Sequence, residues 1–290
     1  MKKVIILIPV YNDWESLIKL LKKINSSIES EEHYEFNCIV INDSSFDKRP
    51  VIFKPTNLKS LKIINMKENR GHTRCNAFGI RYIQANEIFD YTILMDGDGE
   101  DRPIEIKSLI KKISENPNFS VVAKRIKRSE GLVFQSMYYL HKLVTFIFTG
   151  KKINFGNYSC LTKDDVKILS NKASLWSSYS GTVKKSLNTF NEIESIRGLR
   201  YFGPSKMSLF KLVIHSFSII AVFKYTVFLR STLIIIFLSF LTKFWSLYVV
   251  SIQFLIVTFN LLIFLTSLRE NEKALINSDT NKENEIDITH

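Results

Sequence analysis

From Phe244 to Leu268 the chain carries no charged residue at all, and this decides its layout before anything else. The run exceeds the roughly 20 apolar residues needed to cross a bilayer core. The preceding stretch, Tyr225 to Thr242, is apolar but for Arg230. It spans if Arg230 snorkels toward the headgroups and residues before Tyr225 contribute. With Thr242 and Lys243 between them, the two segments are expected to form a hairpin. Lys211, Lys224 and Arg230 precede it and Arg269 and Lys273 follow it, against Lys243 in the turn. Positive-inside counting therefore places both ends in the cytoplasm. Leu209 to Phe223, apolar apart from Lys211, His215 and a few serines, suits a helix lying in the interface. From Glu270 onward the chain is polar, without sustained periodicity, and reads as a disordered tail. The expected layout is a cytoplasmic domain over 1–208, an interfacial helix over 209–223, two transmembrane helices over 224–268 and a cytoplasmic tail over 269–290.

The first 208 residues have the length of one soluble domain. Val4 to Val10, Phe36 to Ile41, Leu61 to Asn65, the run into Leu94 and Phe119 to Ala123 read as strands. The N-terminal Met1-Lys2-Lys3 and apolar run imitate a signal peptide, but Pro9 breaks the run and no small-residue cleavage site follows. Between the strands lie helical patterns. Leu17, Leu20, Leu21 and Ile24 follow an N-cap at Asp13; Ala77, Ile80, Ile83 and Ile88 form a second set, and Ile104, Leu109, Ile110 and Ile113 a third. Such alternation predicts an α/β fold with a mostly parallel sheet covered by helices on both faces. Met137 to Phe148 reads as an apolar helix against the membrane or the sheet, and Asn154 to Ser159 as a loop. Cys38, Cys75 and Cys160 are too scattered for a disulfide framework or a metal site and read as small buried residues. The net charge of +12 is spread along the chain, with no zinc-finger or RNA-binding signature to indicate nucleic acid. Anionic lipid and phosphate-bearing substrates account for it equally well.

Ligands of such sheets bind beyond the carboxyl ends of the strands. Three polar motifs fall there: Tyr11-Asn12, Asn42-Asp43 and Asp96-Gly97-Asp98. The last belongs to Ile93-Leu94-Met95-Asp96-Gly97-Asp98-Gly99-Glu100-Asp101-Arg102-Pro103, where a buried strand runs straight into four carboxylates. Carboxylates so close repel one another and suit a hard cation, Mg²⁺ or Mn²⁺, of the kind that bridges diphosphate oxygens. A solvated acidic turn is the competing reading. Downstream, Arg125, Lys127 and Arg128 form a basic cluster suited to clamping a diphosphate or an acceptor phosphate.

Taken together, Ile8-Pro9-Val10-Tyr11-Asn12-Asp13, Ile41-Asn42-Asp43-Ser44-Ser45-Phe46-Asp47, Asn69-Arg70-Gly71 with Gly79, and Met95 to Pro103 resemble the four ordered motifs of family-2 glycosyltransferases of the GT-A (Rossmann-like) fold. The resemblance covers about Val4 to Ala123. It implies a nucleotide-sugar donor bound among Pro9, Tyr11, Asp13, Asp43, Asn69 and Asp96. Asp43 would lie near the base, Asp96 near the ribose and metal, and Asp98 on the metal. Glu100, where relatives often have Gln, would be a third metal ligand. The chain departs from the family where Asn42-Asp43-Ser44-Ser45 replaces Asp-Asp-Gly-Ser. Arg200-Tyr201-Phe202-Gly203-Pro204-Ser205-Lys206 resembles an element that family members acting on polyprenyl phosphates carry before their membrane part. By that resemblance Arg200, Ser205 and Lys206 bind phosphate oxygens, and Asp98, Arg200 and Lys206 are the catalytic set.

The expected protein is thus a metal-dependent, inverting transferase that moves a sugar from a nucleotide diphosphate to a polyprenyl phosphate in the membrane. A phosphate acceptor needs no strong base, and Asp164, Asp165, Glu192 and Glu194 sit in no motif suggesting one. Two alternatives stay open: transfer to a lipid-linked saccharide hydroxyl, and a nucleotide-sugar binding membrane protein without catalysis. A homo-oligomer is compatible with the chain. Donor binding is expected to survive truncation after Ser208, since the strand-end motifs all precede it.

Overall fold

The computed structural model describes residues 1–127, 132–203 and 208–289. In chain order the elements are β1 (Lys2–Val10), α1 (Trp14–Ile28), β2 (Tyr34–Asn42), β3 (Leu58–Met66), α2 (His72–Asn86), β4 (Tyr91–Leu94), α3 (Ile106–Glu115) and β5 (Val121–Lys127). They continue with α4 (Leu132–Thr149), β6 (Phe155–Thr162), α5 (Lys163–Leu169), α6 (Tyr179–Ser186), β7 (Asn191–Ile196), α7 (Leu209–Ala221), α8 (Lys224–Ser267), α9 (Glu272–Ile276) and β8 (Lys282–Ile288).

One eight-stranded sheet runs β7-β5-β6-β4-β1-β2-β3-β8. Its centre, β4-β1-β2-β3, is parallel throughout. Val4 to Val10 of β1 are all buried, because helices cover both faces of a central parallel strand. The flanks are mixed: β6 pairs antiparallel with β4 and β5, β7 lies parallel to β5, and β8 lies antiparallel to β3. Two cores sandwich the sheet. One gathers Leu7, Ile41, Phe78, Ile80 and Trp176; the other gathers Ile6, Val40, Leu17, Leu20, Ile110 and Ile113. Contact between α2 and β1 is close enough that a Cβ on Gly79 would come within 2.5 Å of the Leu7 side chain. All three cysteines are free and buried, as expected.

Several expectations need correction. Ile88 lies beyond the end of α2 and Ile104 in a 3₁₀ turn ahead of α3; both are exposed, because each falls outside the helix whose periodicity was extended to it. Asn154 to Ser159 is largely strand, not loop. The tail is not disordered. Asn271 accepts from Ala274 N–H and caps α9, and β8 then adds an edge strand to β3. Alternation over Lys282–Ile288 was weak because an edge strand buries little, and its register comes from ladder bonds to β3. The sheet is therefore incomplete before Ser208.

The apolar segment α8 is 44 residues of helix that folds back on itself. Lys224 Nζ lies 3.2 Å from Glu270 Oε2, and Gln253 Nε2 donates to Ser239 Oγ at 2.9 Å. A straight helix would hold Lys224 and Glu270 about 70 Å apart. The reversal thus falls between Ser239 and Gln253, where a turn was expected. Two stretches, Lys224–Leu241 and one beginning at Ser246, are long and apolar enough to cross a membrane. Arg230 does not extend free of the domain: its Nη1 donates to Ile147 O at 3.0 Å, at the carboxyl end of α4, where a cation meets the helix dipole favourably. Phe148 of α4 and Phe217 of α7 both meet Phe259 of α8, so the hairpin is packed against the domain.

Candidate active site

The ends of β1, β2 and β4 are knitted together by backbone and amide groups. Asp43 N donates to Val10 O, and Met95 N to Leu7 O. Asn12 has a φ of +48°, a left-handed conformation that asparagine tolerates. From it, Oδ1 accepts from Phe46 N and Asp47 N, while its own N–H donates to Ser45 Oγ. Asn42 donates to Asn65 Oδ1 at 2.9 Å and accepts from Ser45 N. This explains the departure from the family pattern, since a neutral amide both donates and accepts here, where a carboxylate would only accept.

Asp43 is almost fully buried, and each of its oxygens takes one backbone bond of 2.8 Å, from Arg70 N and Gly71 N. A carboxylate just ahead of α2 also suits the positive end of that helix. Gly71 (φ +87°) supplies the turn that presents both N–H groups to it. Pro9 is buried beneath the acidic loop, Tyr11 is exposed with Phe46 edge-on to its ring, and Asn69 is exposed on the loop before α2.

Two close approaches shape the acidic loop. A Cβ on Gly97 would meet Pro9 O at 2.9 Å, and Gly99 (φ +90°) lies under the Tyr201 ring. Within the loop, Asp101 accepts from Asp96 N, and burial followed by the Asp96 charge pushes its pKa up to about 8. Asp101 therefore braces the loop from inside. Asp98 is largely desolvated beside Asp96 and Glu100, which together push its pKa up to about 6. Asn157 of β6 donates to Asp96 Oδ1 at 3.0 Å.

Residues 197–201 lie across this loop like a short added strand. Gly198 N donates to Glu100 O and Tyr201 N to Asp98 O. The side chains repeat the pairing. Arg200 spans two carboxylates, reaching Asp98 Oδ2 at 2.9 Å with one nitrogen and Asp13 with the other. Arg197 pairs with Glu100. Glu105 fixes the start of the segment by accepting from Ser195 Oγ and Ile196 N. Asp13 thus sits at the N-cap position of α1 without making a side-chain cap; its carboxylate serves Arg200 instead. Beyond Tyr201, a groove of about 720 Å³ is lined by Lys19, Lys22, Lys23 and Arg102, with Lys19 and Lys23 about 5 Å from the Tyr201 ring.

The expected site residues are therefore only partly convergent. Asp96, Asp98, Asp13 and Arg200 meet, and Glu100, close enough for its charge to act on Asp98, pairs with Arg197. Among the described residues no group of three or more His, Cys, Asp or Glu side chains is arranged to hold a metal ion. Asp96 and Asp98 still fit a hard divalent cation that draws its remaining ligands from a diphosphate, because two neighbouring carboxylates relieve their repulsion by sharing it. Arg125 stacks its guanidinium against Gly156 of β6, near Asn157. Arg128, Ser205 and Lys206 lie outside the described residues.

Sequence reasoning missed the companion of His215. Its ring lies 5.9 Å from that of His72 at the start of α2. Burial, then the charges of His72, His141 and Arg125, hold its pKa down near 3 against the opposing Asp96. The helix ahead of the hairpin therefore comes within electrostatic reach of the acidic loop. No local pattern around either histidine could have revealed this.

With the strand-end crevice described, comparison with known proteins becomes informative. The model for "Glycosyl transferase family 2" matches residues 5–177, more than half of the chain. The chain belongs to this family. Solved structures similar to it include mannosyl-3-phosphoglycerate synthase from Rubrobacter xylanophilus, with a TM-score of 0.53 at 11% identity over 76% of this chain and 72% of that one. Glucosyl-3-phosphoglycerate synthase from Mycobacterium tuberculosis, crystallised with Mn²⁺ and UDP-glucose, gives 0.51 at 12% identity over 78% and 80%. The shared fold is GT-A. Among curated relatives, the undecaprenyl-phosphate 4-deoxy-4-formamido-L-arabinose transferase of Proteus mirabilis is 28% identical over 218 residues, 73% of this chain and 64% of that protein. Its counterpart in Salmonella choleraesuis is 28% identical over 220 residues, with the same coverage. The chain thus spans less than two thirds of the length of these relatives.

Proposed function

We propose that this family-2 protein is a membrane-bound, inverting glycosyltransferase that moves a sugar from a nucleotide diphosphate to a polyprenyl phosphate, with its catalytic domain on the cytoplasmic side. The observation that carries the reading is the docking of residues 197–201 on the acidic loop. The segment that pairs Arg200 with Asp98 leads on toward α7 and the apolar hairpin, so reaction centre and membrane part are neighbours in one chain. The names of the curated relatives support the lipid-phosphate acceptor, and Lys224 to Ser267 supplies the membrane part.

In this mechanism Asp43 and the loops around Asn12 and Asn42 would receive the nucleotide, and Asp96 and Asp98 would hold Mg²⁺ or Mn²⁺. The cation would neutralise charge building on the departing diphosphate. Arg200, a planar fork shared by two carboxylates, is placed to transfer one of its donors to a phosphate oxygen as substrate enters. The acceptor phosphate, with a second pKa of about 6, is largely dianionic near neutrality and attacks without a strong base. One displacement then inverts the anomeric carbon, the phosphate oxygen forming the new bond as the nucleotide leaves.

Transfer to a saccharide hydroxyl is less well supported, because it calls for a base. Asp165 accepts from Ser120, Glu192 pairs with Lys124, and Asp164 and Glu194 are exposed on α5 and β7. The test is a panel of radiolabelled nucleotide sugars incubated with membranes containing polyprenyl phosphate, with and without chelator. Label in a chelator-sensitive, mild-acid-labile lipid supports the reading. Label only in longer lipid-linked saccharides, or none with any donor, contradicts it.

A further inference from the structure

The chain does not leave the catalytic domain when it enters the hairpin; it comes back. After α8, residues 269–289 return along the sheet, and β8 closes the free edge of β3. The turn ahead of β8 meets the loop that carries the donor side of the crevice. Lys67 N donates to Asn281 O at 2.8 Å, and Lys67 Nζ to Thr280 O at 3.0 Å. The Asn281 side chain, nearly fully buried, takes both polar groups of one peptide unit's residue: its Oδ1 accepts from Glu68 N and its Nδ2 donates to Glu68 O, each at 3.1 Å. An amide offers a donor and an acceptor on separate atoms, so it can hold both at once.

The far side of the same loop belongs to the donor motifs. Ser44 Oγ donates to Lys67 O, and two and three residues beyond Glu68 the Arg70 and Gly71 N–H groups fix the Asp43 carboxylate. Loop 67–71 is therefore held between Asn281 and Asp43. A cavity of about 10 Å³, room for about one water, lies between them, lined by Asp43, Arg70, Arg74, Ser278 and Asn281. Ser278 Oγ is buried there with no hydrogen-bond partner among the described residues.

We propose that Asn281 is a positioning residue for the nucleotide donor, acting through loop 67–71 to fix Asp43, so that the segment following the membrane hairpin completes the donor site. This deepens the transferase reading and rests on it. It also reverses the expectation that donor binding survives truncation after Ser208, since that cut removes the clamp with the hairpin. Tethered at both ends, the hairpin would communicate its seating to the nucleotide side as well as to the Arg200 side.

The experiment uses the full chain in detergent and a panel of nucleoside diphosphates with Mn²⁺, measured by calorimetry, alongside donor KM, kcat and melting temperature. Asn281→Ala should weaken nucleotide binding about tenfold, raise donor KM in parallel and leave kcat nearly unchanged. Glu285→Gln, which loosens the same strand at its Tyr82 and Lys282 contacts without touching loop 67–71, should bind as the parent does. Should Asn281→Ala fold poorly, Asn281→Gln keeps the amide but overshoots the loop by one methylene, and should show the same KM-only defect. Unchanged affinity in a folded Asn281 variant, or an equal loss in Glu285→Gln, overturns the clamp. Absence of nucleotide binding by the parent chain overturns the transferase reading, and the clamp with it.

Discussion

The two sides of the crevice are built from different chemistry. On the donor side, Asp43, Asn42 and Asn281 are buried and tied to backbone groups by amide and carboxylate bonds, and the partly buried Asn12 adds two more. On the opposite side, Asp98, Asp13 and Glu100 are balanced by the charges of Arg200 and Arg197. Backbone-anchored bonds keep a fixed geometry, as recognition of a rigid base and ribose requires. Guanidinium–carboxylate pairs exchange partners readily when a phosphate or a cation arrives. On the proposed reading, the difference teaches that the acidic side would be rearranged by substrate, while the donor side would be preorganised.

The sharpest way to break this comparison is Asp98→Ala. It should lower transfer by roughly a thousandfold, with a circular-dichroism spectrum and melting temperature near those of the parent, because Asp98 braces nothing in the core. Near-normal turnover in metal-containing buffer would remove Asp98 from the mechanism. Arg200→Ala comes next, with a loss of about a hundredfold in kcat/KM for the lipid acceptor. Arg200→Lys should recover little of it, since one ammonium cannot span Asp13 and Asp98 as a fork does; full recovery in steady-state assays would mean that only the charge matters.

The donor side should respond in stability more than in rate. Asn42→Ala strands Asn65 and Ser45 N, and is expected to cost about 1–3 kcal/mol in denaturant melts, with kcat changed far less than donor KM. A selective fall in kcat would contradict the division of labour. The smallest effect concerns β8. Hydrogen bonds from Lys282 and then Tyr82 hold the Glu285 pKa below its ordinary 4.5. Its contribution is therefore complete above that value and is lost as pH falls through the lowered folded pKa. Hydrogen exchange of the β8 amides should quicken relative to β1 below about pH 4, and Glu285→Gln should flatten that dependence.

The centre of the sheet and its three strand-end motifs were legible because a parallel strand buried on both faces is a continuous apolar run, and because the motif residues sit where those runs stop. The hairpin was legible for a similar reason, its two apolar stretches needing only composition. What escaped reading depends on contacts between distant segments. His215 meets His72, and Arg197 pairs with Glu100; neither contact leaves a local pattern. β8 escaped because an edge strand exposes most of its side chains, so polar composition looked like disorder. Asn42 was legible as a departure from the family but not as an amide bridge, since Asn65 lies on a neighbouring strand.

The central claim is that Asp96 and Asp98 form the metal-bearing side of a nucleotide site whose other side is fixed by Asp43. The direct measurement is calorimetric titration of nucleoside diphosphate into the full chain with Mn²⁺, with Mg²⁺ and with chelator, for the parent and for Asp98→Ala and Asp43→Ala. The account predicts tight binding only with metal in the parent and weak, metal-insensitive binding in Asp98→Ala. In Asp43→Ala it predicts weakened binding that still responds to metal. Equal affinity with chelator and with metal, unaffected by Asp98→Ala, would contradict it.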